Sequence, residues 1–396
     1  MKFLEDIDLN GKKVLIRVDY NVPINNGQVI DDFRIKSSLP TIRYCLDNGA
    51  SIILMSHLGR PNGSIKNNLS LDPISFYLED LLNREVLFSN DCISNESIEL
   101  SSKLSKGEIH LLENLRFYKE EEENDNFFSK KLSKHADVYI NDAFGTAHRE
   151  HSSNVGILKY FDEKCVGKLV RNELDNLNTT LNAAEKPNIL ILGGAKIKSK
   201  IKLILNMLNN VDTILIGGAM SYAFLKVIGQ NIGAHIIDKE NIELATSIIE
   251  KSKKLNVNIV LPTDVVAATE MQNNVPWRVT EVTNLEEDEY GFDIGPETMM
   301  NFEMFLSNAK TITWNGPLGV TEIPIFATGT EAVSSMVREC TVNGAKSIIG
   351  GGDIAAAISK CSDYSEYTHV STGGGASLEF MSGKKLIALK SLGIYE

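Results

Sequence analysis

Short, continuous apolar runs alternate with longer segments of mixed polarity along the chain. In the first half the apolar runs predict strands and the mixed segments predict helices: Lys13–Val18, Ser51–Met55, Ile109–Leu112 and Val138–Ile140 for strands, and Ile35–Asn48 and Leu71–Leu82 for helices. Continuous apolar runs suit strands that are buried on both faces, as in a parallel sheet. The alternation therefore predicts βαβ units with right-handed crossovers.

The second half repeats one local design, an apolar strand that ends in two or three glycines before a helix. It occurs four times: Ile189–Leu192 before Gly193-Gly194, Thr213–Ile216 before Gly217-Gly218, Ala345–Ile349 before Gly350-Gly351-Gly352, and His369–Thr372 before Gly373-Gly374-Gly375. Unpaired backbone N–H groups at a helix start favour negative charge. Open α/β sheets bind ligands at this carboxyl edge. The repetition predicts a nucleotide-phosphate cleft, although a single such turn would equally suit a tight βα connection with Asp353 as the helix N-cap.

A chain of 396 residues is too long for one comfortable core, which favours two domains. Further strands are expected at Asn258–Leu261 and Thr311–Trp314, and Phe161–Ala184 reads as one long helix that ends before Lys186-Pro187. The expected fold class is α/β, with two Rossmann-like three-layer domains of mainly parallel sheets joined by this bridging helix and a hinge. The predicted boundaries are residues 1–164, 165–184 for the helix, 185–378, and 379–396 for a tail.

Composition narrows the class of protein. The net charge of −12 argues against a general affinity for nucleic acid or anionic membranes. We find no secretory signal and no apolar run of membrane-spanning length, so a membrane protein is not expected. The five cysteines are scattered and odd in number, which favours reduced thiols in the cytoplasm.

The cations and one acid indicate where chemistry could take place. Eight of the ten arginines precede residue 175, and five lie in turn-like settings, which predicts an anion site in the first half: Arg17, Arg34, Arg60, Arg116 and Arg149. In the second half, Lys196 and Lys200 are spaced as neighbours on one helix face, and Asp353 is a candidate Mg²⁺ ligand. Phosphoryl transfer needs aligned reactants and cations around the migrating charge rather than a covalent catalyst.

Four other sequence features do not point to a function. No Gly-x-x-x-x-Gly-Lys-Ser/Thr loop is present. Gly350-x-Gly352-x-x-Ala355 fits a relaxed dinucleotide fingerprint, but the next strand lacks the acid that should close it. His148 and His151 have no third ligand nearby, so zinc is not expected. The acidic run Glu120–Glu123 reads as a solvated helix start without a function.

With these residues in view, the chain resembles the phosphoglycerate kinase family from end to end. The matching stretches in the first half are Arg17-Val-Asp-Tyr-Asn-Val-Pro23, Ser56-His-Leu-Gly-Arg-Pro61, Glu113-Asn-Leu-Arg-Phe117 and Asn141-Asp-Ala-Phe-Gly-Thr-Ala-His-Arg149. Those in the second half are Leu192-Gly-Gly-Ala-Lys196, Asp293-Ile-Gly-Pro-Glu-Thr298, Trp314-Asn-Gly-Pro-Leu-Gly319, Gly350-Gly-Gly-Asp353 and Ser371-Thr-Gly-Gly-Gly-Ala-Ser377.

The resemblance implies reversible phosphoryl transfer between ATP and 3-phosphoglycerate, giving ADP and 1,3-bisphosphoglycerate, by in-line transfer after hinge closure. It implies a catalytic set of Arg34, Lys196, Gly351 and Gly374. The implied phosphoglycerate-binding residues are Arg17, Asp19, Asn21, Arg34, His57, Arg60, Arg116 and Arg149. The implied nucleotide-binding residues are Gly193, Gly194, Lys196, Lys200, Gly217, Gly218, Asn315, Pro317, Glu322, Gly350, Gly351, Gly352, Asp353, Gly373 and Gly374.

The resemblance also implies Mg²⁺ held by Asp353, a monomer, and a C-terminal tail that packs on the N-terminal domain. Structural roles compete at some positions: Asp19 could orient Arg17, His57 could satisfy a loop carbonyl, and Gly217-Gly218 could serve helix packing. Four residues depart from the family pattern: Lys198, Thr321, Ile354 and Ile387. None of these departures removes a charged catalytic group, but they bear on nucleotide affinity. The alternatives are a kinase for another small carboxylate and a non-catalytic nucleotide-binding protein.

Overall fold

The computed structural model describes residues 3–395, and the chain divides into two compact units. The first unit runs to Leu174 and takes in the segment from Lys385, while the second spans Asp175–Lys384. Within the described residues, no helix is both long enough and apolar enough to cross a bilayer.

The first unit is built on a six-stranded sheet in which every pairing is parallel. Its strands are β1 (Lys13–Val18), β4 (Ser51–Met55), β5 (Val86–Ser89), β6 (Ile109–Leu112), β7 (Val138–Asp142) and β8 (Glu163–Val166), in the order β5-β6-β4-β1-β7-β8, with a separate ribbon of β2 (Ile24–Asn25) and β3 (Gln28–Val29). Its helices are α1 (Phe33–Asp47), α2 (Asp72–Leu82), α3 (Asn95–Lys103) and α4 (Asn126–Leu132), and α5 (Lys168–Asn182) begins here and ends in the second unit.

The second unit has an equivalent six-stranded parallel sheet. It contains β9 (Asn188–Leu192), β10 (Thr213–Ile216), β11 (Asn258–Val260), β15 (Thr311–Asn315), β16 (Lys346–Ile349) and β17 (His369–Val370), in the order β11-β10-β9-β15-β16-β17. A small antiparallel sheet is formed by β12 (Asp264–Ala268), β13 (Trp277–Glu281) and β14 (Tyr290–Ile294). The helices are α6 (Ile201–Met207), α7 (Ser221–Val227), α8 (Lys239–Leu255), α9 (Pro296–Leu306), α10 (Thr328–Val342), α11 (Gly352–Ile358) and α12 (Gly375–Met381). The last helix, α13 (Ile387–Ser391), belongs to the first unit.

Alternating side chains of one strand enter two separate cores in the first unit. Val14 and Ile16 of β1 lie in a cluster on one face of the sheet, whereas Leu15 lies in a cluster on the other face. Both faces are therefore buried, which is why the strands are apolar at every position. The prediction of an α/β fold with mainly parallel sheets is confirmed.

The prediction of one helix over Phe161–Ala184 is wrong, because β8 occupies Glu163–Val166 and α5 begins only at Lys168. The Asp142 carboxylate accepts hydrogen bonds from the N–H groups of Leu169 at 3.0 Å and Val170 at 3.3 Å, which fixes the start of the helix. Gly167 permits this approach, since a Cβ there would lie 2.1 Å from Asp142 Oδ1.

Candidate active site

In the second unit, loops at the carboxyl ends of β9, β15, β16 and β17 surround a cavity of about 410 Å³. Its lining consists of Gly194, Ala195, Lys196, Ser199, Lys200, Asn315, Gly316, Pro317, Gly351, Gly352, Asp353, Ile354, Gly374, Gly375 and Leu378. Parallel strands end at the same edge of a sheet, which is why loops so distant in the chain meet here. Four lining residues were given no role from the sequence: Ala195, Ser199, Gly316 and Leu378.

The glycines around this cavity fall into two kinds. A Cβ added at Gly352, Gly374 or Gly375 would have no heavy atom within 4 Å. At Gly193, by contrast, it would lie 2.0 Å from the carbonyl oxygen of Pro317. The first kind leaves backbone open to a ligand, and the second kind lets two loops of the protein pack together.

Gly351 and Gly374 precede α11 and α12 with φ angles of 122° and 51°, in a region that other residues rarely adopt. Asp353 is not the N-cap of α11, because the helix already begins at Gly352 and the carboxylate makes no capping hydrogen bond. The Asp353 side chain is exposed and lines the cavity. The two turns thus present backbone and one carboxylate to the same space.

Lys200 is buried beneath the cavity and holds two of the loops together. Its ammonium group donates to the carbonyl oxygen of Asn315 at 2.9 Å and to that of Gly193. Burial lowers the pKa of Lys200 to about 8, and Asp353 opposes this shift. An ammonium group has three donors, so one of them stays available to a ligand.

The prediction that Lys196 and Lys200 share one helix face is wrong. Lys196 has extended backbone, a 3₁₀ turn follows over Ile197–Ser199, and α6 begins at Ile201. Both lysines nevertheless line the cavity. Lys198, which departs from the family pattern, forms an ion pair at 2.9 Å with Glu240 of α8 and does not line the cavity.

Six residues expected at the nucleotide do not line this cavity: Gly193, Gly217, Gly218, Glu322, Gly350 and Gly373. A Cβ at Gly217 would lie 2.8 Å from Leu318, and one at Gly218 would lie 2.6 Å from the nitrogen of Gly194. Both positions therefore serve close packing. Glu322 is exposed, next to Thr321, whose carbonyl accepts a hydrogen bond from Lys360 at 2.8 Å.

In the first unit, Arg17 lies within β1 near its carboxyl end. The other expected phosphoglycerate residues follow β1, β4, β6 and β7 or lie at the start of α1. Arg34 Nη1 donates to Asp19 Oδ2 at 3.1 Å and to the carbonyl of Asn21 at 3.2 Å. The Asn21 side chain in turn accepts from the N–H of Gly59 at 2.9 Å. Asp19 therefore orients Arg34. The alternative from the sequence, that Asp19 orients Arg17, is wrong.

Arg17 is fully buried and contacts His57 directly. Arg17 Nη2 lies 3.2 Å from His57 Nδ1, and Nη1 donates to the carbonyl of Val18. Burial lowers the pKa of His57 well below its ordinary value, and the charges of Arg17, Arg116, Arg34 and Arg149 lower it further. Four arginines are thus close enough to act on one imidazole.

The remaining arginines are less occupied. Arg116 donates to the carbonyl of Gly59 at 2.8 Å, but its buried Nε and Nη2 have no hydrogen-bond partner in residues 3–395, although Glu122 lies 3.3 Å from Nε. Arg60 is exposed and Arg149 is half-buried, and the side chains of both are unpaired in the described part of the chain. Buried or clustered cations without partners favour an anionic ligand.

Glu121 corrects the prediction of a solvated acidic run. Its side chain is fully buried, in a 3₁₀ turn over Lys119–Glu121. Oε1 accepts from the Ser153 hydroxyl at 2.6 Å, and Oε2 accepts from the Ser153 N–H at 2.9 Å. His151 Nδ1 lies 3.8 Å from the same carboxylate, and burial together with Arg116 lowers the pKa of His151 to about 3. Nothing in the local sequence separates Glu121 from its acidic neighbours.

Comparison with known proteins gives one consistent result. The profile of the family described as phosphoglycerate kinase matches residues 4–384. A protein named phosphoglycerate kinase from Chlorobium luteolum is 46% identical over 392 residues, which cover 99% of each chain. One from Dictyoglomus turgidum is 46% identical over 97% of this chain and 96% of its own.

Two solved structures agree with the sequence matches. Phosphoglycerate kinase from Coxiella burnetii superposes with a TM-score of 0.87 at 36% identity and covers 99% of both chains. The enzyme from Pyrococcus horikoshii has the same TM-score at 32% identity and covers 100% of this chain and 99% of its own. The similarity extends over both units.

Proposed function

The chain belongs to the phosphoglycerate kinase family, and from this premise we propose how its residues divide the work of the reaction. The chain is a phosphotransferase that transfers a phosphoryl group reversibly between ATP and 3-phosphoglycerate. The nucleotide binds in the cavity of the second unit, and 3-phosphoglycerate binds among the arginines of the first. Transfer takes place when the two bound substrates are brought in line.

The observation that carries this assignment is the set of arginines whose charges act on His57, with Arg17 in direct contact with it. A doubly anionic acceptor, with a carboxylate at one end and a phosphate at the other, needs several cations to replace its hydration. Arg60 and Arg149 have unpaired side chains in the described residues, and Arg116 has a buried nitrogen without a partner. A smaller acceptor would not require this set.

Arg34 and Lys196 are the cations that we assign to the phosphoryl group in transit. Charge on its equatorial oxygens grows in the transition state, and preoriented cations stabilise it without reorganisation. Asp19 fixes Arg34 in the first unit, and Lys196 projects from the loop after β9 in the second. Gly351 and Gly374, which both line the cavity with positive φ, add backbone N–H groups on the nucleotide side.

The residues at the cavity also fit Mg²⁺. Magnesium commonly binds through one or two carboxylates together with water and substrate phosphates, and Asp353 supplies one carboxylate here. No group of three or more metal-ligating acids, histidines or cysteines occurs within residues 3–395, so the other ligands would come from the nucleotide and water. When bound, the ion would supply positive charge to the phosphate oxygens.

The proposal extends to the state of the protein in the cell. The five free cysteines support a reducing compartment such as the cytoplasm, and the acidic composition argues against nucleic acid as a partner. We propose a monomer, which sedimentation velocity would test.

The experiment for the reaction is a coupled assay with ATP, Mg²⁺ and 3-phosphoglycerate, run on the parent protein and on Lys196→Ala. Turnover by the parent and a loss of about a hundredfold or more in the variant is the expected result. A folded parent that binds MgADP but shows no turnover would refute the assignment and favour a nucleotide-binding protein.

A further inference from the structure

A buried chain of hydrogen bonds runs from Glu121 to His57 in the first unit. Glu121 Oε1 is 2.6 Å from Ser153 Oγ, Ser153 Oγ is 2.9 Å from Arg17 Nε, and Arg17 Nη2 is 3.2 Å from His57 Nδ1. All four side chains are almost completely buried. Neither the sequence motifs nor the roles assigned above use Glu121 or Ser153.

The donors and acceptors available in these side chains allow the hydrogen bonds to run in only one direction. A guanidinium group has no acceptor, so Arg17 donates to both Ser153 Oγ and His57 Nδ1. Ser153 Oγ accepts from Arg17, and its single proton is then directed to Glu121 Oε1. Since Oε2 accepts from the Ser153 N–H, both oxygens of Glu121 are acceptors, as in an ionised carboxylate.

The direction determines the tautomer of His57. Because Nδ1 accepts from Arg17, the proton of the neutral imidazole is on Nε2. Nε2 has no hydrogen-bond partner in the described chain, and it is not among the fully buried nitrogens that lack one. The Nε2–H group is therefore accessible as a donor, whereas Nδ1 is already bound by Arg17.

Asp19 is a competing partner for His57 Nδ1. The carboxylate oxygen Oδ1 of Asp19 lies 3.8 Å from His57 Nδ1. If Arg17 were displaced, a proton on Nδ1 would be attracted to Asp19, and Nε2 would become an acceptor that repels an anion. The buried contact between Arg17 and His57 is what separates the two tautomers.

We propose that Glu121 and Ser153 are positioning residues that act through Arg17, and that they hold His57 as an Nε2–H donor toward the anionic acceptor. The inference rests on the proposed function, because the acceptor is taken to be 3-phosphoglycerate. Glu121 provides the buried counter-charge for Arg17, and Ser153 fixes the guanidinium plane.

The test compares Ser153→Ala with Ser152→Ala. Both serines are fully buried, but the Ser152 hydroxyl donates to the carbonyl of Glu120 at 2.8 Å and does not contact Arg17. We expect Ser153→Ala to raise the KM for 3-phosphoglycerate by about ten- to a hundredfold, with the KM for ATP unchanged. Ser152→Ala should leave both KM values unchanged, even if it lowers the thermal stability as much as Ser153→Ala does.

The tautomer is read directly from two-bond ¹H–¹⁵N spectra of histidine-labelled protein without substrate, with His57 assigned by the loss of its signals in His57→Gln. The parent should show Nδ1 unprotonated and Nε2 protonated at neutral pH. In Ser153→Ala, and in Glu121→Gln if it folds, the Nδ1–H form should appear. This measurement does not depend on turnover, so an inactive parent would refute the proposed function without deciding the tautomer.

Two results would overturn the inference. One is an Nδ1–H tautomer in the parent protein. The other is a Ser153→Ala variant with the same KM for 3-phosphoglycerate and the same His57 nitrogen shifts as Ser152→Ala, because the hydroxyl would then have only a structural role.

Discussion

Arg34 is held by Asp19: Arg34 Nη1 lies 3.1 Å from Asp19 Oδ2. The Arg34 side chain is about a quarter exposed, whereas Asp19 is almost fully buried. The carboxylate is therefore the fixed partner and the guanidinium the oriented one. We expect Asp19→Asn to lower kcat by about tenfold, because the charge that orients Arg34 is lost. Steady-state kinetics with both substrates saturating measure the effect, and an unchanged kcat would contradict the orienting role.

Arg34 itself should affect catalysis and not nucleotide binding. Arg34→Ala is expected to lower kcat by about a hundred- to a thousandfold, because a cation that meets transition-state charge is removed. The affinity for MgADP, measured by calorimetry, should stay within about twofold of the parent. A parallel loss of ADP affinity would place Arg34 on the nucleotide and refute its assignment to the acceptor site.

Lys200 should make nucleotide binding depend on pH. Burial lowers its pKa to about 8, so the ammonium is charged below that pH and loses its charge above it. We expect the affinity for ADP to fall by about tenfold between pH 7 and pH 9.5, because the attraction to phosphate disappears. Calorimetry on the parent and on Lys200→Gln tests this. The variant should bind weakly with a flat profile, and a flat profile in the parent would be the contrary result.

The two kinds of glycine should respond differently to the same substitution. Gly193→Ala brings a Cβ to 2.0 Å from a carbonyl oxygen, which should cost about 1–3 kcal/mol of unfolding free energy or more. Gly352→Ala enters open space, so stability should hold while affinity for MgADP falls. Thermal unfolding and calorimetry on the pair provide the measurement. Equal losses of stability would show that both glycines serve packing.

Acid should destabilise the protein through two buried histidines of the first unit. His110 Nδ1 and His135 Nδ1 lie 2.8 and 2.7 Å from Ser101 Oγ, and burial lowers their pKa values to about 3 and about 4. The unfolded chain thus binds more protons than the folded one as the pH falls from about 6.5 toward 4. Each histidine should remove about 1.4 kcal/mol of stability per pH unit in this window.

Urea denaturation at several pH values tests the effect of these histidines. His135→Gln should reduce the slope of the unfolding free energy against pH between pH 6 and pH 5. The expected reduction is close to the contribution of one proton, about 1.4 kcal/mol per pH unit. The same slope in parent and variant would mean that His135 is protonated normally in the folded state.

The sequence predicted the parts of the structure that depend on local apolar pattern. The strands at Lys13–Val18 and Ser51–Met55 are confirmed, because strands that are buried on both faces are apolar throughout. β8 was missed, since Glu163 and Lys164 make half of this short strand charged. Its assignment depends on pairing with β7, which local pattern does not reveal.

The site was less predictable where the role of a residue depends on distant partners. Lys198 was noted as a cation near the nucleotide, but its partner Glu240 lies 42 residues further along the chain. Glu121 looked like one of four equivalent acids, and only folding places it beside Ser153. Gly193 and Gly352 belong to similar turns, but only Gly193 packs against the loop that follows β15.

The first unit is interrupted in sequence by the whole of the second. Its last segment is integral to it: Ala388 donates to the carbonyl of Ala147 at 3.0 Å, Leu389 is buried, and Leu392 packs on one of the two core clusters. During synthesis from the N-terminus, the second unit is therefore complete before the first. The first unit therefore lacks the segment from Lys385, with its buried Leu389, until the whole of the second unit has been synthesised.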